Sequence, residues 1–258
     1  FSRITPASAV NRRASAASSP SSPSGPMSSV RKYVPRQGST GSPSGAQARA
    51  SRSLWGNLKL TLGTGSLWLV AIALCLLDAC RYGFTDWGVT HLKEVQNATV
   101  GTAALKYAVL PLGGIPGAYL SGLATVRWFG GRRAPVICML LLLLSVLSLA
   151  YDYVIHWGLA PSLLVLFCVG FCIFGPQVLL VGTLPSDLAR SGTAAAAAGF
   201  VNFMGYMGAS FRDKMTGDLA EDYGWQFAVR FWAGCALGAA VAIGLLWNHR
   251  PGAAPADS

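Results

Sequence analysis

The chain has 258 residues, of which 52% are hydrophobic and only 12% charged, with a mean hydropathy of +0.45. Soluble domains carry about a quarter charged residues, so a soluble core of this size would lack its polar shell, and the soluble globular classes are excluded. The formal charge of +10 is concentrated at one end, because nine basic residues (Arg3, Arg12, Arg13, Arg31, Lys32, Arg36, Arg49, Arg52 and Lys59) precede the first acid, Asp78. A basic arm in front of an oily body suits a membrane surface rather than nucleic acid, and no nucleic-acid partner is expected.

Residues 1–53 are rich in Ser, Pro, Gly and Arg, with almost no large apolar side chains. Such a segment cannot bury enough surface to offset the entropy of ordering, so it reads as a disordered arm. Its acid-free, Arg- and Ser-rich character also fits an organelle transit peptide. Phe1 in place of Met leads to the expectation that further sequence lies upstream. The Arg12-Arg13-Ala14-Ser15 stretch and the Ser-Pro pairs at Ser19, Ser22 and Ser42 fit phosphorylation in such an arm, and composition explains them equally.

From Leu54 onward the chain turns to long uncharged runs: Leu60–Leu77, Tyr107–Val126, Ala134–Tyr151, Tyr153–Ser186, Ser191–Phe211 and Phe231–Asn248. A run of about 18 or more apolar residues suffices for a helix to cross a bilayer. The expectation is an all-α integral membrane fold with six transmembrane helices, at about 60–86, 101–126, 133–152, 159–186, 191–220 and 226–248, and a short tail at 251–258. With the basic arm inside, the inner loops carry Arg127, Arg132, Arg133, Arg190 and Arg250, and the outer loops Lys93, Glu94, Asp152, Glu221 and Asp222. The positive-inside bias therefore predicts both termini in the cytosol.

Small residues recur at close-packing spacing at Gly113, Gly117, Ser121, Gly234, Gly238 and Ala194–Ala198, as helix contacts in lipid require. Gly114-Ile115-Pro116-Gly117 and Gly175-Pro176 read as interruptions in mid-membrane, where transporters bend. The six cysteines (Cys75, Cys80, Cys138, Cys168, Cys172 and Cys235) lie in apolar stretches without the neighbours a metal site needs. No metal or other cofactor is expected, and no nucleophile with a base points to an enzyme. Asn97-Ala98-Thr99 matches a glycosylation sequon in a short loop beside the bilayer, where chance occurrence explains it.

Charges within the apolar segments are the informative residues, since each costs at least ~2.5 kcal/mol at the bilayer centre and faces water or a partner. Two readings of Arg81 stand: an ion pair with Asp78 or Asp86, or a cation holding a permeant anion. A guanidinium fork matches phosphate or carboxylate oxygens bidentately. Arg212, Asp213 and Lys214 cannot all face one way on a helix, so the expectation is that one lines a cavity while another pairs or reaches the interface. Lys106 and Arg230 read as interfacial residues. Tyr82, Asp86 and Asn202 complete the candidate substrate-binding set.

The stretch Arg81-Tyr82-Gly83-Phe84-Thr85-Asp86-Trp87 to Leu92-Lys93-Glu94 resembles the seventh helix of the organophosphate:phosphate antiporters of the major facilitator superfamily. The resemblance continues through Gly114-Ile115-Pro116-Gly117, Gly175-Pro176 to Gly182, Gly192-Thr193, Ala198-Gly199-Phe200, Gly205-Tyr206 and Tyr223-Gly224-Trp225, covering about residues 54 to 250. It implies the second six-helix half of a transporter that exchanges a sugar phosphate or glycerol 3-phosphate for inorganic phosphate, with the arm as the inter-half loop and a first half as partner. It also implies that Arg81 grips phosphate, and that Arg212, Asp213 and Lys214 lie on a helix that affects substrate choice. A membrane sensor of sugar phosphates and a non-transporting fragment are the alternatives. Two departures stand out: Pro111 where the family often has an acid, and Thr125 where the loop motif has Asp.

Overall fold

The computed structural model describes residues 54–189 and 192–248. The expected arm (1–53) and tail (251–258), along with Arg190 and Arg250, lie outside the described residues. Among the described residues every regular element is helical.

α1 (Leu54–Leu62) ends at Gly63-Thr64, and the chain re-enters a helix at Gly65. Thr64 Oγ1 donates to the Leu60 carbonyl at 3.1 Å and Trp68 Nε1 to the Leu62 carbonyl at 2.9 Å, closing the last turn of α1. The helix expected over 60–86 is thus divided at its start and prolonged at its end. α2 (Gly65–Tyr82) runs through a π-helical turn at Gly83–Trp87 into α3 (Gly88–Gln96). Asn97 stops α3 in the left-handed region (φ 51°), and the Thr99 side chain accepts from the Thr102 N–H to start α4 (Val100–Arg127). The residues of the sequon are therefore spent on helix punctuation.

α5 (Arg133–Val154) is followed by a 3₁₀ turn at Ile155–Trp157, and α6 (Leu159–Val178) by a second π-helical turn at Leu179–Thr183 and the short α7 (Leu184–Leu188). α8 (Ala194–Asp222) and α9 (Trp225–Gly244) complete the bundle. The expected breaks at Gly114–Gly117 and Gly175-Pro176 are not interruptions. α4 is continuous across Pro111 and Pro116, and α6 across Pro176. A proline removes one backbone donor, which close packing against neighbouring helices tolerates; the irregular turns fall at Gly83 and Leu179 instead.

Five helical segments among the described residues are long and apolar enough to cross a membrane: Gly65–Gln96, Val100–Arg127, Arg133–Trp157, Leu159–Leu188 and Trp225–Gly244. The sixth expected span falls on α8, which has 29 residues but mixes Asn202, Tyr206 and several glycines into its apolar part before reaching Arg212, Asp213 and Lys214. Many outward side chains are large and apolar, among them Leu105, Ile115, Val126, Val146, Leu164 and Val241. A lipid solvent accepts such a surface; water does not.

α4 lies along α6, α2 along α8, and α9 is held between α2 and α5. Glycines set the closest of these approaches. A Cβ on Gly113 or Gly117 would collide with the backbone of Phe167 or Phe171, and one on Gly170 with the Leu110 carbonyl. The small-residue spacing noted in the sequence thus becomes the α4/α6 crossing. Side-chain to backbone bonds tie helices together as well: Ser121 Oγ donates to the Gly175 carbonyl across the α4/α6 crossing at 3.2 Å, and Ser145 Oγ in α5 to the Ala233 carbonyl in α9 at 2.9 Å. Trp232 is fully buried beside Phe84, in space that Gly83 leaves open, and its indole N–H reaches Thr216 at 3.1 Å.

Candidate functional site

The irregular turn after α2 gathers the candidate residues. Arg81 stands in the last turn of α2, where its Nε donates to Asp78 Oδ1 at 2.9 Å, one helical turn back. Asp78 is 4% exposed, and Gln177 Nε2 of α6 lies 3.4 Å from the same carboxylate oxygen. On its far side α8 presents Gly205, whose missing Cβ leaves the room that Asp78 Oδ2 occupies. Of the two readings of Arg81, the ion pair is the one seen, and it is made with Asp78 and not with Asp86.

Asp86 serves a different cation. The π-helical turn aims it at α8, where it accepts from Arg212 Nη2 at 2.9 Å. Arg212 is 1% exposed, and its Nη1 stands 2.6 Å from Asp213 Oδ1, close enough for an ion pair but poorly aligned for a hydrogen bond. Its Nε also lacks an acceptor. Asp213, largely exposed, additionally accepts from the Trp87 indole at 3.2 Å. Lys214 points outward and has no ion-pair partner among the described residues. The three side chains thus point different ways, with Arg212 buried and paired and Asp213 and Lys214 exposed.

Tyr82 joins the two pairs. The Arg81 guanidinium carbon lies 3.9 Å from its ring centroid and that of Arg212 6.0 Å, within the range over which a cation is attracted to an aromatic face. Arginines from α2 and α8 thus converge on one ring, each held by carboxylates. The ion-paired group consists of two arginines, Arg81 and Arg212, and three acids, Asp78, Asp86 and Asp213. Asn202 does not join it: the residue is exposed on α8, ten residues before Arg212 and about 15 Å along the axis. Gln177 was missed by the sequence reading. It is 99 residues from Asp78, and no local spacing connects them.

A second polar chain ties α3, α4 and α5 together. His91 Nδ1 lies 3.0 Å from the Tyr151 hydroxyl, which lies 2.7 Å from that of Tyr107, while Asp152 stands 3.8 Å from His91 Nε2. Lys106, in the second turn of α4, is buried and donates to Gln96 Oε1 at 2.9 Å, and the Gln96 amide is held by the Ile155 carbonyl nearby. Arg230 is exposed, 5.3 Å from the Phe227 ring, as a snorkelling side chain would be. Thr125, in place of the expected acid, is buried and bonds its own helix at the Ser121 carbonyl, while Arg133 pairs with Asp187 and donates to the Thr183 carbonyl. All six cysteines are free thiols, and no metal-binding group of His, Cys, Asp or Glu occurs among the described residues.

Packed apolar helices with a charged cluster at an irregular turn define a multi-pass α-helical membrane protein. The Major Facilitator Superfamily model matches residues 13–211, and the chain belongs to that family. It is 32% identical over 187 residues to a probable hexose phosphate transport protein of Chlamydia trachomatis serovar D, covering 70% of this chain and 40% of the relative. A glycerol-3-phosphate transporter of Bacillus subtilis strain 168 is 31% identical over 183 residues (70% and 41%). The membrane sensor protein UhpC of Salmonella typhimurium strain LT2 is 29% identical over 194 residues (74% and 42%). The chain spans about two fifths of the length of these curated relatives.

Proposed function

We propose that this chain forms the second six-helix half of an antiporter that exchanges a phosphorylated metabolite, such as a sugar phosphate or glycerol 3-phosphate, for inorganic phosphate, with a first six-helix half as its partner. The observation that carries the reading is the convergence of Arg81 and Arg212, from two helices, on Tyr82. The names of the relatives support the substrate class. A phosphoryl group entering beside Arg81 engages the guanidinium that Asp78 now holds through Nε, and Arg212, Asp213 and Lys214 meet the rest of the ligand. The two halves then rock about the bound anion, and exchange of one anion for the other drives the cycle. α8, the least apolar long helix, lines the water-filled side in this arrangement. Arg127, Arg132 and Arg133 lie in the cytosol with both termini, and Lys93, Glu94 and Asp152 on the opposite side.

Labelled-phosphate exchange in vesicles holding the assembled two-half transporter tests this. Arg81→Lys keeps the charge and loses the fork, so exchange should fall by about 10- to 100-fold, the worth of a charge-assisted bond of ~1.5–3 kcal/mol. Exchange near wild type in Arg81→Ala would end the proposal. The similarity to UhpC supports a second reading, a membrane sensor of sugar phosphates. A sensor binds the labelled ligand in the same vesicles without accumulating it.

A further inference from the structure

A cavity of about 350 Å³ lies away from the charged cluster, at the end of the bundle that carries Arg127. Leu120, Leu123 and Ala124 of α4, Met139 and Leu140 of α5 and Phe171 of α6 line it, and Arg127 and Trp128 stand at its edge. The size falls within the roughly 300–1,000 Å³ of ligand sites, yet the wall offers almost no hydrogen-bonding group. It suits a hydrocarbon chain.

The charges beside it are placed by the turn. Gly130 and Gly131 take up positive φ (57° and 87°), and the Gly131 N–H returns to the Thr125 carbonyl at 2.9 Å, so the chain reverses at once. Arg127 and Arg132 therefore emerge at the same membrane face. Arg133 beside them is occupied by Asp187 and the Thr183 carbonyl, whereas Arg127 and Arg132 have no ion-pair partner among the described residues. Trp128 is 76% exposed, as interfacial tryptophans are. An apolar slot below two unpaired guanidiniums and an exposed indole has the chemistry of an amphiphile with an anionic head.

We propose that this cavity is a binding site for an anionic glycerophospholipid of the bilayer, with one acyl chain in the α4/α5/α6 slot and the head-group phosphate on Arg127 and Arg132. The site is independent of the transport reading, which uses other residues at another place.

The test is native mass spectrometry of the whole chain, released from nanodiscs of equal parts phosphatidylglycerol and phosphatidylcholine. One phosphatidylglycerol should be retained at about a tenfold preference. The double variant Arg127→Gln with Arg132→Gln should abolish the preference, and Arg127→Lys should keep most of it, which separates lost charge from lost fold. Ala124→Phe, which fills the slot, should reduce retention of both lipids. Excess inorganic phosphate should leave the bound lipid in place, because the tail anchors it. Equal retention of the two lipids by the unaltered chain overturns the proposal. So does a preference that survives the double variant, or one that free phosphate abolishes.

Discussion

The Asp78–Arg81 pair makes a prediction whose sign separates two roles for one carboxylate. The pair is 2.9 Å long between side chains that are 5% and 15% exposed, so solvent screens it weakly. An anion that binds Arg81 must displace Asp78 or share the guanidinium with it, and either way the carboxylate opposes the anion. Asp78→Asn keeps an oxygen for Arg81 Nε and for Gln177 while removing the charge. Gly205 leaves space for the amide. The opposition removed is that of one charge-assisted bond, ~1.5–3 kcal/mol, or about a 10- to 100-fold fall in the phosphate concentration that half-saturates exchange. Turnover should fall along with it, because an anion held more tightly leaves more slowly. Phosphate-dependent exchange in proteoliposomes holding the assembled transporter reads both quantities. Half-saturation that is unchanged or shifted to higher phosphate in Asp78→Asn refutes the reasoning, and makes Asp78 a support that holds Arg81 in place.

Three further outcomes follow from the geometry. Asp213→Asn removes one of the two acids that hold Arg212, which should raise the competitiveness of more anionic compounds such as phosphoenolpyruvate against phosphate relative to sugar phosphates; an unaltered ratio of inhibition constants contradicts this. Gly170→Leu drives a side chain into the Leu110 carbonyl, so the α4/α6 crossing should lose about 1–3 kcal/mol, read as a lower unfolding temperature in detergent and a loss of monodisperse protein. A cysteine at Asn97 should react with an impermeant reagent in intact cells while one at Arg132 should not; equal labelling contradicts the assigned sidedness.

The sequence by itself determined that this chain belongs in a bilayer, and it singled out Arg81 and the run Arg212-Asp213-Lys214 as charges that lipid does not explain. Apolar length and the cost of burying charge are properties of the chain and the solvent, and need no partner helix to be read. Five apolar spans were legible for the same reason, although the ends of the helices were not. The bilayer does not dictate the stop at Gly63-Thr64, the left-handed cap at Asn97 or the passage of α4 through Pro116, which depend on local hydrogen bonds and neighbouring packing. The tertiary structure alone decided which acid each arginine takes. Asp78 and Asp86 were both open to Arg81 by spacing, but the π-helical turn at Gly83 rotates Asp86 toward α8, 126 residues onward, and leaves Asp78 for Arg81. Gln177 beside Asp78 and the Tyr107–Tyr151–His91 chain were equally beyond reach of the sequence. Those contacts exist only where separate helices cross, and crossings are set by small residues and side-chain shape, which one-dimensional spacing does not carry.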